Sequence, residues 1–231
     1  MESNVNNILR KKLMESGASM VGFADLSQLE YPASIGLPYG ISIVAAMTPS
    51  IVRGISHGVT LEYYAEYNAL NKRLNELANL GCRILEDLGY RALGQTVTTY
   101  TQNSIYRTAL PHKTVATRAG LGWIGKSALL VTPDLGSALR LSSILTDAPL
   151  DVGSPIDVSK CGGCMLCTDA CTAQAIKGEN WDVSKDRDLL YDASLCRKAA
   201  REKSAIIGVD ASICGKCIEV CPYTQRYISC T

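Results

Sequence analysis

Through the first 150 residues the apolar positions alternate between a helical period and short unbroken runs, the pattern of helices interleaved with buried strands. Val5, Ile8, Leu9 and Leu13 predict a helix over 4–16, with Gly17 placed to end it. Met20–Ala24 and Ile41–Met47 read as strands, the second stopped by Thr48-Pro49. Thr60 is placed to cap a long helix over 61–88, with Leu70, Leu74, Leu77, Leu80, Ile84 and Leu88 on one face and Gly89 as its stop. Arg91–Leu93, Val97–Tyr100, Leu129–Val131 and Ala138–Leu145 read as further strands. This alternation predicts an α/β layered domain. Thr146–Pro155, rich in Pro, Gly and Asp, reads as a linker, so the expected division is one domain over 1–150 and a smaller one over 151–231.

Composition changes this picture little. The 231 residues are 47% hydrophobic and 19% charged, enough for a packed core. Lys and Arg number 23 against 22 Asp and Glu, a net charge of +1 that leaves no electrostatic footprint for nucleic acid or an acidic membrane surface. No apolar run approaches the roughly 20 residues that span a bilayer. The first residues lack the basic and apolar regions of a signal peptide. A soluble, cytoplasmic protein is expected.

The ten cysteines change it more. Cys161, Cys164, Cys167 and Cys171 follow one another at the two-, two- and three-residue gaps of a cuboidal iron–sulfur ligand run. Cys214, Cys217 and Cys221-Pro222 answer them later. In two-cluster ferredoxins the fourth Cys of such a run serves the other cluster. That rule assigns Cys161, Cys164, Cys167 and Cys221 to one [4Fe–4S] cluster. The other takes Cys214, Cys217, Cys171 and Cys196, which lies between the runs. The fold expected over 151–231 is a small ferredoxin-like two-cluster domain. Zinc commonly uses two Cys pairs but gives no reason for the third and fourth thiols of the first run. Disulfides would need an oxidising compartment. Thr172, where Pro usually follows the fourth Cys, departs from the pattern. Cys82, inside the long helix, reads as a small buried hydrophobe, and Cys230 as a spare thiol.

Gly120-Leu-Gly122-Trp-Ile-Gly125-Lys126-Ser127 matches both the G-x-G-x-x-G and the G-x-x-x-x-G-K-S strings. Both motifs need a strand before and a helix after, because phosphate binds at the helix N-terminus. Here a helical pattern precedes, over 112–118, and a strand follows, so neither motif has its context. Two readings stand for this loop. It is either a tight helix-to-strand connection packed by Trp123 and Ile124, or an apolar floor beneath a flat cofactor.

Taken together, Ala119–Lys126, Gly136-Ser137, Leu145-Thr-Asp147-Ala-Pro-Leu150 and the Cys runs resemble the epoxyqueuosine reductase family. The resemblance covers about half the chain, from His112 to Pro222. It implies a cobalamin on a nitroreductase-like layered α/β domain at 1–150, with two [4Fe–4S] clusters feeding it electrons, a cofactor set shared with reductive dehalogenases. It also implies an oxidoreductase supplied by a one-electron donor such as ferredoxin or flavodoxin. The residues it points to around the cofactor are Gly120, Leu121, Gly122, Trp123, Ile124, Gly125 and Lys126, flanked by His112 and Lys113. Arg140, Ser142 and Ser143 are candidates for the polar rim. Where the tRNA-acting reductases carry an acidic proton donor, the matching position is Tyr106, the candidate catalytic acid. Those reductases also carry a helical-repeat extension, whereas this chain stops at Thr231, so the expectation is against tRNA and for a small substrate. Two other readings remain: a ferredoxin-like electron carrier serving a corrinoid protein or another redox partner, and a flavin in place of cobalamin.

Overall fold

The structure is a computed structural model and describes residues 5–95 and 106–230. In chain order it runs α1 (Val5–Glu15), β1 (Met20–Asp25), α2 (Glu30–Ser34), β2 (Tyr39–Ala46), α3 (Pro49–Gly54) and α4 (Leu61–Asp87). Then come β3 (Ala92–Gln95), α5 (His112–Arg118), β4 (Trp123–Ile124), β5 (Leu130–Val131) and β6 (Leu139–Thr146). The rest is short helices: α6 (Leu166–Asp169), α7 (Ala193–Ile206), α8 (Lys216–Glu219) and α9 (Pro222–Ser229). The strand expected over 97–100 lies outside the described residues. No helix among those described is long and apolar enough to cross a membrane.

Contacts divide the chain into two compact units, neither of them continuous in sequence. The first comprises Met1–Ala46, Ala69–Leu121 and Arg140–Ile156. It is a mixed α/β unit around a four-stranded sheet of order β1-β2-β6-β3, with β1 antiparallel to β2 and β3 antiparallel to β6. In β1 the run Val21–Ala24 is buried throughout, so an unbroken apolar run here marks a strand covered on both faces. Helix α5 packs on β1 and β2, where Val115 and Ala119 join Ala24, Leu26, Leu37, Leu110 and Leu145 in one apolar cluster.

The buried stripe of α4 in this unit is Leu70, Leu74, Leu77, Ala78 and Leu85, whereas Leu88 is 42% exposed. At about 100° per residue Leu70, Leu74, Leu77, Ala78, Gly81 and Leu85 share a face centred to one side of Leu77. Leu80 and Ile84 fall on its other side, toward the edge, and are half-buried, and Leu88 lies beyond the end of α4 at Asp87. A side chain at Gly81 would collide with the Ile144 methyl, so glycine there sets how closely α4 approaches β6. The expected linker is also corrected. Asn6 donates to the Asp151 carbonyl (2.8 Å), the Gly153 N–H to that of Phe23 (2.9 Å) and the Ile156 N–H to that of Thr117 (2.9 Å). Ala148 and Leu150 are buried. Irregular backbone without a helical or strand period is here packed within the first unit.

The second unit comprises Met47–Asn68, Gly122–Leu139 and Asp157–Thr231. Helix α3 packs against α8 and α9, and α6 against α8. Tyr227 donates its hydroxyl to the Met47 carbonyl (2.8 Å), and Thr224 Oγ1 accepts the Ser137 N–H (3.0 Å). Thr60 Oγ1 accepts from Tyr63 N–H at 3.2 Å, the N-cap expected at the start of α4. Tyr63 is buried.

Candidate metal centre

All eight clustered cysteines lie in the second unit, and local structure explains how each is presented. Gly162 and Gly215, the residues after Cys161 and Cys214, are left-handed, with φ of +55° and +74°. Each turn swings the next Cys back toward its predecessor. Cys167 rides on α6 and Cys217 on α8. Cys221 is the N-cap of α9 with Pro222 at the first helical position. Thr172, by contrast, follows Cys171 into a turn closed by Gln174 N–H donating to the Cys171 carbonyl. Asp192 caps α7 by accepting the Leu195 N–H (2.9 Å). Along α7, Cys196, Ala200 and Lys203 then fall on one side at helical spacing.

The thiols form two neighbourhoods. Burial first, then Cys161 and Cys221, pushes the Cys167 thiol up to about 11. Burial also raises Cys196, followed by Cys171 and Cys214, while Lys203 pulls it back. Cys217, the most enclosed, is raised by burial and then by Cys196, Cys214, Cys167 and Cys171. These influences group Cys161, Cys164, Cys167 and Cys221, and group Cys171, Cys196, Cys214 and Cys217, with Cys217 also felt by Cys167 and lining the first group's cavity. Cys196 is exposed as a whole residue. Since burial leads its upward shift, its thiol end is the shielded part.

Cys161, Cys164, Cys167 and Cys221 line a cavity of about 430 Å³, mouth included, together with Gly125, Lys126, Ser127, Val131 and Cys217. Among the described residues no three His, Cys, Asp or Glu side chains converge as they would on a single metal ion. Crowded, buried thiols resist ionisation until a metal replaces their protons. The Tyr223 and Thr224 N–H groups at the start of α9 already oppose that resistance at Cys221. The Thr168 hydroxyl is buried beside Cys167 and opposes the rise of its thiol. These donor sets fit two [4Fe–4S] clusters. Met165, Thr168 and Lys203 were not singled out by sequence, although Lys203 stands two helical turns after Cys196, a signal that could have found it.

The glycine-rich loop is a helix-to-hairpin connection. After α5, Ala119 ends the helix, and β4 pairs with β5 in register Trp123–Val131 and Ile124–Leu130. The close approaches its glycines permit are to the chain itself. A Cβ on Gly120 would lie 2.6 Å from the Ser154 carbonyl oxygen, within the first unit. A Cβ on Gly122 would strike the Val131 carbonyl, and one on Gly125 would meet Val131 (2.9 Å) and Cys161 Sγ (3.5 Å), within the second. Leu121 packs at the edge of the first unit's apolar cluster. Trp123, Ile124 and Lys126 are buried, with Trp123 edge-on to Tyr223 at 4.9 Å.

The polar candidates of the first unit gather around α5. His112 Nδ1 is 2.8 Å from Ser143 Oγ, and Ser143 donates to Gln95 Oε1 (2.6 Å). With the hydroxyl proton committed to Gln95, the hydrogen bond requires Nδ1–H as donor on the imidazole. Burial, then the Arg140 cation, lowers the His112 pKa to about 4, so the ring is neutral near pH 7. Arg140 donates twice to Asn71 Oδ1, at 3.1 and 2.8 Å, and Ser142 donates to the Gln95 carbonyl. Lys113 is half-buried on α5, and Tyr106 is half-buried with a left-handed φ of +59°. Gln95 and Asn71 were missed by sequence, being single polar residues in otherwise unremarkable periods.

Residues 160–224 match the family described as 4Fe-4S double cluster binding domain. The chain is 31% identical to the epoxyqueuosine reductase of Lactococcus garvieae over 69% of this chain and 42% of that protein. It is 29% identical to that of Synechococcus sp. over 84% of this chain and 55% of that protein. The chain therefore spans about half the length of the curated relatives it matches. Among solved structures, a reductive dehalogenase described by a mechanism for B12-dependent dehalogenation is similar with a TM-score of 0.68 at 18% identity. That match covers 96% of this chain and 33% of the dehalogenase. An epoxyqueuosine reductase solved with an epoxyqueuosine-modified tRNA stem loop is similar with a TM-score of 0.59 at 21% identity, over 96% and 66% of the two chains.

Proposed function

The chain belongs to the epoxyqueuosine reductase-like family of double-cluster iron–sulfur proteins, and on that premise we propose that it is an iron–sulfur reductase acting with a cobalamin. The observation that carries this reading is the gathering of eight cysteines into two quartets inside one unit. Residues 151–231 hold the clusters and 1–150 the corrinoid. When bound, the clusters supply single electrons and the corrinoid a low-potential, carbon-directed reductant. The chain's own tasks are to hold thiolates in place, exclude water and supply a proton. Tyr106 is the proposed proton donor, and His112, held neutral by burial, is a proposed hydrogen-bonding partner for the cofactor rim with Lys113, Arg140 and Ser142.

The loop glycines do not themselves offer cobalamin a bare cradle, because the chain's own atoms fill the space beside Gly120, Gly122 and Gly125. Support for the corrinoid comes from the dehalogenase likeness and from the polar group around His112, and no step is derived through it. The substrate proposed is a small molecule. Near-neutral charge weighs against nucleic acid, but a relative solved with a tRNA stem loop makes that stem loop the first macromolecular substrate to offer. Ferredoxin or flavodoxin is the proposed electron donor. Thiolates reserved for metal support a reducing cytoplasm as the proposed location.

Anaerobic reconstitution of the whole chain, mixing with cobalamin and gel filtration test the assignment. A corrinoid spectrum co-eluting in stoichiometric amount supports it. Retention of flavin instead would change the cofactor, and retention of neither would leave an electron carrier for a corrinoid protein or another redox partner.

A further inference from the structure

Lys126 is a buried cation beside the first group of cysteines. It is 4% exposed and sits in the hairpin turn closed by Ala128 N–H donating to the Gly125 carbonyl at 2.8 Å. Its Nζ lies 3.3 Å from Met165 Sδ, and it lines the cavity shared by Cys161, Cys164, Cys167 and Cys221. Among the described residues no carboxylate pairs with it. A thioether is a weak acceptor, and an ammonium buried against one alone is costly.

We infer that Lys126 is the counter-ion of the cluster held by Cys161, Cys164, Cys167 and Cys221, and that it sets that cluster's potential above the value the thiolates alone would give. The inference rests on the cluster reading above. A [4Fe–4S] core ligated by four thiolates is anionic in both of its working oxidation levels, and one added electron makes it more so. A fixed cation beside it therefore stabilises the reduced level more than the oxidised one. Met165, two residues before Cys167, holds the Lys126 side chain in place. The second quartet has its own lysine: Lys203 Nζ lies 3.3 Å from Cys214 Sγ but is only half-buried. The two clusters thus face cations of unequal burial, and the more deeply buried charge acts where screening by water is least.

The test is an electron paramagnetic resonance redox titration of the reconstituted whole chain, with dithionite as the one-electron source. Lys126→Met keeps the stem and removes the charge. It is expected to retain wild-type iron and sulfide while one midpoint moves to more negative potential and the other stays. Lys126→Arg is expected to restore the wild-type midpoint, and Lys203→Met to move the other one. Lys126→Gln serves as a second neutral variant with the same expected shift. Full iron with both midpoints unmoved, or both moved equally, overturns the inference and leaves the cluster reading intact. So does equal loss of iron in Lys126→Met and Lys126→Arg, which would make the residue a packing element. Wild-type chain carrying zinc and no sulfide would overturn both.

Discussion

His112 is the residue whose environment has the clearest consequence in solution. Its pKa falls from an ordinary 6.5 to about 4 because burial and then Arg140 disfavour the imidazolium. The unfolded chain therefore takes up this proton before the folded one does. Stability is full above pH 6.5 and is lost as pH falls toward 4. Between pH 7.5 and 5.5 the loss from this one group is about 1 kcal/mol. Urea unfolding of wild type and His112→Asn at the two pH values checks it, the wild-type slope being the steeper. Equal slopes would show that the ring is not held neutral. Cys82 offers a second check. Burial raises its thiol to about 11, whereas Cys230 is exposed. In the reconstituted protein at pH 8, iodoacetamide is expected to label Cys230 at least tenfold faster than Cys82, since the thiolate is the reacting form, with peptide mass mapping as the readout. Cys82, expected from its place in the long helix to be a buried hydrophobe, is half-buried. The sequence could not show Gln95 or Asn71, whose importance comes from partners on other elements.

At the scale of elements, legibility followed period. The strands β1, β2, β5 and β6 were readable within a residue or two, because a short apolar run between turn residues has few alternatives. The long helix was readable as a helix, but its buried face was not fully so. Leucines are frequent enough along α4 that two overlapping stripes fit, and only packing on the sheet chose between them. Leu74→Ala is therefore expected to cost 2–5 kcal/mol, roughly as for other buried leucines, and Leu88→Ala less than about 0.5, as measured by denaturant midpoints. Costs in the reverse order would restore the stripe through Leu88. The glycine loop shows the same limit differently. Its strings suggested phosphate, its order of helix then strand argued against that, and only the fold showed that a Gly122 side chain would strike the Val131 carbonyl. Gly122→Ala is expected to destabilise by about 1–3 kcal/mol through that overlap.

At the scale of the molecule, the apolar core is unevenly shared. Buried apolar side chains are dense up to Leu150, in the first unit and in the 47–68 and 122–139 segments of the second. Across 157–231 they thin to Ala175, Ile176, Trp181, Leu190, Ala200, Ile213 and Ile228, while Val158, Leu166, Val183, Leu189, Leu195 and Ile206 are exposed. Apart from α7 and α9 its helices are short, α6 and α8 spanning four residues each, and its pairing among the described residues is the bridges Val158–Asp182 and Ile176–Tyr191. A segment so sparsely packed needs another source of cohesion. The two clusters proposed above would supply it, since the free energy of metal binding becomes free energy of folding when the site does not exist in the unfolded chain. Removing the iron with chelator and oxidant is therefore expected to melt 157–231 selectively. Hydrogen exchange should show the amides of α7 and α9 losing protection by orders of magnitude, while those of β1 and β2, paired from Met20–Val44 to Asp25–Tyr39, keep theirs. Protection over α7 and α9 that survives complete loss of iron would mean that this segment is held by its own packing, and the metal would then be cargo of a preformed fold rather than part of what folds it.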